Sequence, residues 1–220
     1  MRSTRRSVIA GLALSGWVGK AAAQTTLFSA ADGAHLSGQI YGKGSHAVLL
    51  VSGGHGVGEA WDLQAQRLAR AGFRVLALDC RGRGRSPALP PDDEKAHLDV
   101  LGAVRKLNTE GADRISVVGA SWGGWAAGTA AVASHRLIDR LVLLAHSSID
   151  EPEKLKGRKL FIVASDDRVG SGALRLKEIR DQFEAAPDPK KLIVLPSAAH
   201  AQFILLTSHG ERLYREILRS

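Results

Sequence analysis

The chain has 220 residues, 45% of them hydrophobic and 24% charged, which is enough to build one globular domain around a sizeable core. Its single cysteine, Cys80, rules out an intramolecular disulfide and a cysteine-rich metal site. The formal charge of +8 comes from 30 basic and 22 acidic residues, but four of the basic ones lie within the first 23 residues. The remaining 26 against 22 is too mild a bias for nucleic-acid binding, and no basic stripe interleaved with aromatics is present.

Residues 1–23 read as an export signal. Arg5 and Arg6 precede the apolar run Val8–Val18, which is too short to span a bilayer, and Ala21-Ala22-Ala23 supplies an A-x-A cleavage site. The paired arginines and the glycine-diluted apolar run resemble a twin-arginine signal. The expectation is a periplasmic or secreted bacterial protein, with residues 24–220 as its single domain and no stable membrane insertion.

Beyond the signal, strands alternate with helices. His35–Tyr41 alternates loosely and is expected at a sheet edge. Ala47–Val51 and Arg74–Leu78 are continuous apolar runs of the kind buried on both faces. Residues 59–71 and 92–108 have helical spacing, the second with Leu98, Leu101, Val104 and Leu107 on one face. Arg114–Val118 is another strand, and a small-residue helix follows over Trp125–Ala133. Leu141–Ala145, Leu160–Ala164 and Leu192–Leu195 complete the strands, while Gly172–Phe183 and Glu211–Arg219 read as helices. This alternation predicts an α/β fold, a mostly parallel sheet with helices on both faces. Functional groups are then expected at the carboxyl ends of the strands.

The sharpest motif sits at such an end. Gly119-Ala120-Ser121-Trp122-Gly123, between a strand and a helix, is the Gly-x-Ser-x-Gly of a nucleophile elbow. Glycines flank the serine because side chains there would collide with neighbouring elements. The amide of Trp122 opens the helix and points where an oxyanion would form. A serine hydroxyl needs a base to take its proton. His200, just past the last strand among Ser197, Ala198 and Ala199, is the expected base; His209 is its rival, and His146 is a candidate supporting residue. The acid that orients the base is Asp166 or Asp167. The glycine-rich stretch 53–58 lacks the Lys-Ser/Thr of a P-loop and does not fit G-x-G-x-x-G, so no nucleotide or other cofactor is expected, and no metal.

Three further segments carry a resemblance. Leu49-Leu50-Val51-Ser52-Gly53-Gly54 is similar to an apolar strand ending in His-Gly. Asp79-Cys80-Arg81-Gly82-Arg83-Gly84-Arg85-Ser86 resembles an Asp-x-Arg-Gly-x-Gly-x-Ser loop, and Phe161–Asp167 resembles the strand and turn that present a triad acid. With the elbow, these resemble the α/β-hydrolase family over about residues 35–218. The resemblance implies the chain order Ser121, Asp167, His200 for nucleophile, acid and base, and selects Asp167 over Asp166 by its distance from Ala164. It also implies that the oxyanion hole uses the backbone amides of Trp122 and Gly54. Ser52 departs from the family, which usually has histidine there.

The implied activity is hydrolysis of a carboxylic ester or thioester through an acyl-enzyme, on a small or polymeric acyl substrate. An amidase or peptidase of the same fold, and an inactive binding protein on a hydrolase scaffold, are the alternatives. Arg81, Arg83, Arg85 and Arg168 are expected on solvated loops, with at least one arginine fixing loop structure; a preference for anionic acyl substrates is the functional reading. Residues 146–158 are too few for a cap domain, which predicts a shallow, open cleft rimmed by residues 53–58, 81–91 and 200–203.

Overall fold

The computed structural model describes residues 23–54, 57–86, 93–134 and 136–218. The export signal read in residues 1–23 therefore falls almost wholly outside the described residues, as do positions 87–91 of the expected cleft rim. Eight strands form one sheet: β1 (Gln24–Ser29), β2 (His35–Tyr41), β3 (His46–Val51), β4 (Arg74–Asp79), β5 (Arg114–Ala120), β6 (Arg140–Leu144), β7 (Arg158–Ala164) and β8 (Lys190–Leu195). Their spatial order is β1-β2-β4-β3-β5-β6-β7-β8. β2 runs antiparallel to both β1 and β4, and every pairing from β4 through β8 is parallel. Among the described residues, four α-helices connect them, α1 (Asp62–Arg70), α2 (Ala96–Thr109), α3 (Trp122–Ala133) and α4 (Arg175–Ala185), and α5 (Gly210–Leu218) follows β8.

The sheet has a core on each face because the strand period is two. Along β3, Ala47, Leu49 and Val51 join the cluster under α2, α3 and α4, with Val100, Leu107, Ala127 and Ile179. Val48 and Leu50 point the other way, toward Ala65 and Leu68 of α1 and Leu213, Tyr214 and Ile217 of α5. Burial on both faces explains why the central strands read as unbroken apolar runs.

One expectation is corrected. β2 is an interior strand, covered on its outer side by β1, whose pattern of exposure gives it little apolar signal. His46, at the start of β3, is half-buried, with Nε2 2.9 Å from Ser116 Oγ and its ring edge against Phe73.

The β6–β7 connection contains one 3₁₀ turn, Pro152–Lys154, and no cap domain. It is tied down to α4: Gln182 accepts from the Ile149 amide and donates to its carbonyl, at 2.9 and 3.1 Å. Ile149, Pro152 and Leu155 are buried beneath it.

Candidate active site

The carboxyl ends of β5, β7 and β8 converge on one point. Ser121 forms the turn from β5 into α3 with φ +51° and ψ −123°, a left-handed conformation that is uncommon outside glycine. The turn is anchored to its neighbour: the Ser121 amide donates to the Leu144 carbonyl at 2.9 Å, and the Ser121 carbonyl accepts from Ser147 at 3.1 Å. The flanking glycines are required by contact. A Cβ on Gly123 would lie 2.4 Å from the Ser52 carbonyl oxygen, and one on Gly119 2.6 Å from that of Gly123. Glycine at these positions lets α3 start directly against the ends of β3 and β5.

Beyond β8 the chain extends to His200, whose Nε2 lies 2.9 Å from Ser121 Oγ. His200 Nδ1 lies 2.8 Å from Asp167 Oδ2, in the turn after β7. An ionised carboxylate only accepts, so Nδ1 carries the proton and Nε2 is left to accept from the serine hydroxyl. Asp167 is buried, 3% exposed, whereas Asp166 is exposed and bonded locally to Ser165. The turn holding the acid and the loop holding the base are themselves joined, because the Asp166 amide donates to the Ser197 carbonyl at 3.0 Å. His209 lies at the start of α5 and takes no part in this chain of hydrogen bonds.

Residues that sequence reasoning did not single out complete the surroundings. Arg175, the buried first residue of α4, brings Nε within 3.3 Å of Asp167 Oδ2, and its amide donates to the Asp167 carbonyl at 2.9 Å. Ala145 and Ala201, next to His146 and His200, also have positive φ, at 45° and 55°. With Ser121 they are the non-glycine residues with positive φ among the described residues; Ser121 and Ala145 directly follow β5 and β6, and Ala201 opens the 3₁₀ turn past β8. An alanine carries no sequence signal for such a conformation.

His146 is fully buried with its ring against Phe161, 5.5 Å between centroids, and its carbonyl accepts from Arg175 at 3.4 Å. Burial first, and then the Arg175 charge, push its imidazole down to about 3, so it stays neutral. Neither ring nitrogen is bonded to Ser121, His200 or Asp167.

The arginines divide. Arg81 is buried and holds Asp99 at 2.6 and 2.8 Å and Asp32 at 2.9 and 3.1 Å. Burial opposes its charge, but the hydrogen bonds to Asp32 and Asp99 outweigh it and raise the guanidinium above its ordinary value. Arg85 pairs with Glu59 on the surface, and Arg168 closes its own loop onto the Gly172 carbonyl. Arg83 lies over the Trp122 ring, 4.7 Å from its centroid, beside Ser121. Asp79 organises this loop by accepting from the amides of Gly58 (2.6 Å) and Arg85 (3.1 Å). Cys80 is buried, and burial raises its thiol far from a reactive range.

The donors expected for an oxyanion flank the serine. Trp122 opens α3, where a helix leaves its first amides without intrahelical acceptors. Gly53 packs on Ser121, since a Cβ on it would meet Ser121 Cβ at 2.8 Å; Gly54 follows with φ +60°. Ser52 donates to the Val57 carbonyl at 2.8 Å and so ties the loop back on itself. Among the described residues, no group of three or more His, Cys, Asp or Glu side chains is placed to hold a metal ion.

This layout, an elbow serine at the carboxyl edge of an eight-stranded sheet of this order, is that of an α/β-hydrolase. Residues 46–204 match the family model for the alpha/beta hydrolase fold, and the chain belongs to that family. It is 44% identical to the bifunctional epoxide hydrolase 2 of Sus scrofa over 75 residues, covering 32% of this chain and 13% of that protein. It is 28% identical to a mouse (Mus musculus) protein named serine hydrolase BPHL over 172 residues, 76% of this chain and 53% of the relative. The chain thus spans about half or less of these curated relatives. Among solved structures, the esterase PF2001 of Pyrococcus furiosus superposes with a TM-score of 0.75, covering 99% of this chain and 97% of that one. Sequence identity to it is 16%, so this likeness speaks to the fold alone.

Proposed function

We propose that this protein is a serine hydrolase that cleaves a carboxylic ester or thioester through an acyl-enzyme. The observation that carries the reading is the continuous hydrogen-bonded path from Ser121 Oγ through His200 to Asp167, at 2.9 and 2.8 Å, starting from a serine held at positive φ. In this reading His200 Nε2 takes the hydroxyl proton as Ser121 Oγ attacks the acyl carbon. Asp167 holds the imidazole in the required tautomer and stabilises the imidazolium that forms. The amides of Trp122 and Gly54 receive the tetrahedral oxyanion. His200 then protonates the leaving group, and water, deprotonated by the same histidine, releases the acid.

The absence of a cap domain favours short-chain or bulky polar acyl substrates over long lipid chains. His200, with 38% of its side chain exposed, and Phe203, 59% exposed, leave the serine approachable from solvent. Activity on p-nitrophenyl esters is expected to peak at short chains; a steady rise to palmitate would contradict this. Export is part of the same proposal and rests on residues 1–23. Changing Arg5 and Arg6 to Lys should leave precursor unprocessed in the cytoplasm, and normal processing would exclude the twin-arginine route.

Labelling of the purified protein by a fluorophosphonate probe tests the function. A 1:1 adduct on Ser121, found by peptide mass spectrometry, is the expected result. No adduct would point to a binding protein on a hydrolase scaffold, and an adduct on another serine would overturn the assignment of Ser121 as the nucleophile.

A further inference from the structure

The opposite edge of the sheet, where the parallel strands begin, has a different character. The starts of β3, β5, β6 and β7 enclose a cavity of about 230 Å³ lined by His46, Arg114, Ser116, Asp139, Arg140 and Arg158, with Ile217 of α5 beside them. A second cavity of about 290 Å³ shares Arg140 and Arg158 and adds Lys159, Lys190, Lys191 and Glu216. Six permanent cations thus face two carboxylates across one continuous recess.

The carboxylates offset part of this charge, Glu216 through an ion pair with Lys191. Asp139 Oδ2 accepts from the Ile115 amide at 2.7 Å, and Glu216 Oε2 accepts from Lys191 at 2.7 Å. Three cations also donate to backbone carbonyls. Arg140 donates to Glu216 and Ile217 at the end of α5, Lys190 to Phe183 and Glu184 at the end of α4, and Lys159 to Gly157. Carbonyls satisfy donors but leave the formal charge in place. The Arg114 and Arg158 guanidinium groups are exposed and make no hydrogen bond or ion pair among the described residues. Burial, and then the Arg158 charge, lower Arg140 from its ordinary value; burial and then Arg114 do the same to His46. Like charges are therefore crowded here in a partly desolvated recess, a cost that an anion would relieve.

Shape and donor type narrow the anion. Guanidinium forks on β5 and β7, from Arg114 and Arg158, match a tetrahedral oxyanion with several terminal oxygens better than a planar carboxylate, which one fork would saturate. The first cavity is below the roughly 300–1,000 Å³ of a site that engulfs a small organic molecule. It suits a phosphate-sized group, with any ester substituent running into the adjoining cavity. We propose that this recess binds a phosphate group, as inorganic phosphate or a free phosphate monoester, by the guanidinium groups of Arg114 and Arg158, with the charge of Arg140 behind them. The site lies at the far edge of the sheet from Ser121, so it is independent of the hydrolase reading.

Isothermal titration of the purified protein with inorganic phosphate at constant ionic strength tests this directly. Saturable 1:1 binding is expected, with affinity at least about tenfold weaker in the Arg114→Gln/Arg158→Gln double variant and an intermediate loss in Arg158→Lys, which keeps the charge but not the fork. Both residues are exposed, and circular dichroism would check that the variants fold. Fluorophosphonate labelling should be the same in wild type and variants, which separates failure here from failure at Ser121. No saturable heat, or equal affinity in the double variant, would overturn the proposal. So would retention on phosphatidylglycerol vesicles without a response to free phosphate, which would make the recess a lipid-binding surface.

Discussion

Arg175 Nε lies 3.3 Å from Asp167 Oδ2, the same oxygen that His200 Nδ1 reaches at 2.8 Å. The buried carboxylate is therefore shared between a permanent cation and the imidazole. Because α4 begins at Arg175, and its amide also bonds the Asp167 carbonyl, the helix start fixes the acid in both position and orientation.

Removing that cation should loosen the acid without touching the serine. Arg175→Met is expected to lower kcat by about tenfold with little change in KM, and to destabilise the fold by about 1–3 kcal/mol, because a buried charged acceptor loses a partner. Steady-state kinetics and urea unfolding would check both. Unchanged kcat would make the contact a purely structural one.

The two adjacent aspartates should separate cleanly. Asp167→Asn is expected to cut kcat by roughly 10⁴, since the amide favours the wrong histidine tautomer. Asp166→Asn should leave kcat within about twofold, because that side chain is exposed and bonds only to Ser165 among the described residues. Reversed magnitudes would move the acid to Asp166.

His146 gives a pH dependence of stability. Its folded value of about 3 lies below the ordinary 6.5, so the unfolded chain binds a proton in that window and the folded chain does not. Stability from this residue is complete above pH 6.5 and is lost as pH falls toward 3, at up to about 1.4 kcal/mol per pH unit. His146→Leu should remove that slope, so the stability of wild type relative to the variant should fall as pH drops from 7 to 4.5. Parallel pH dependences would show that the imidazole titrates normally.

Much of this arrangement is legible in the sequence because it rests on strong local signals. Continuous apolar runs mark β3, β4, β6 and β7, which are buried on both faces, and the glycines of the elbow mark a contact that admits no side chain. What is not legible has weak signals. β1 is an exposed edge strand whose Gln24-Thr25-Thr26 start carries no period, and missing it put β2 at the edge. Arg175 opens a helix rich in charge, so nothing in its neighbours distinguishes it from a solvated arginine. Arg81 reads as a loop cation until the fold brings Asp32 and Asp99 to it from 49 and 18 residues away. Of the three residues named from motif and chain order, His200 lies within hydrogen-bonding distance of both Ser121 and Asp167, but the left-handed backbone at Ala145 and Ala201 beside them leaves no trace in residue type.

The most direct measurement is ester hydrolysis by Ser121→Ala, made on protein whose melting temperature and circular dichroism match the wild type. The hydroxyl supports no packing that the fold needs, so stability should be unaffected, while loss of the nucleophile should lower kcat by on the order of 10⁶. Turnover near the wild-type rate in a folded Ser121→Ala protein would contradict the assignment of this serine as the nucleophile.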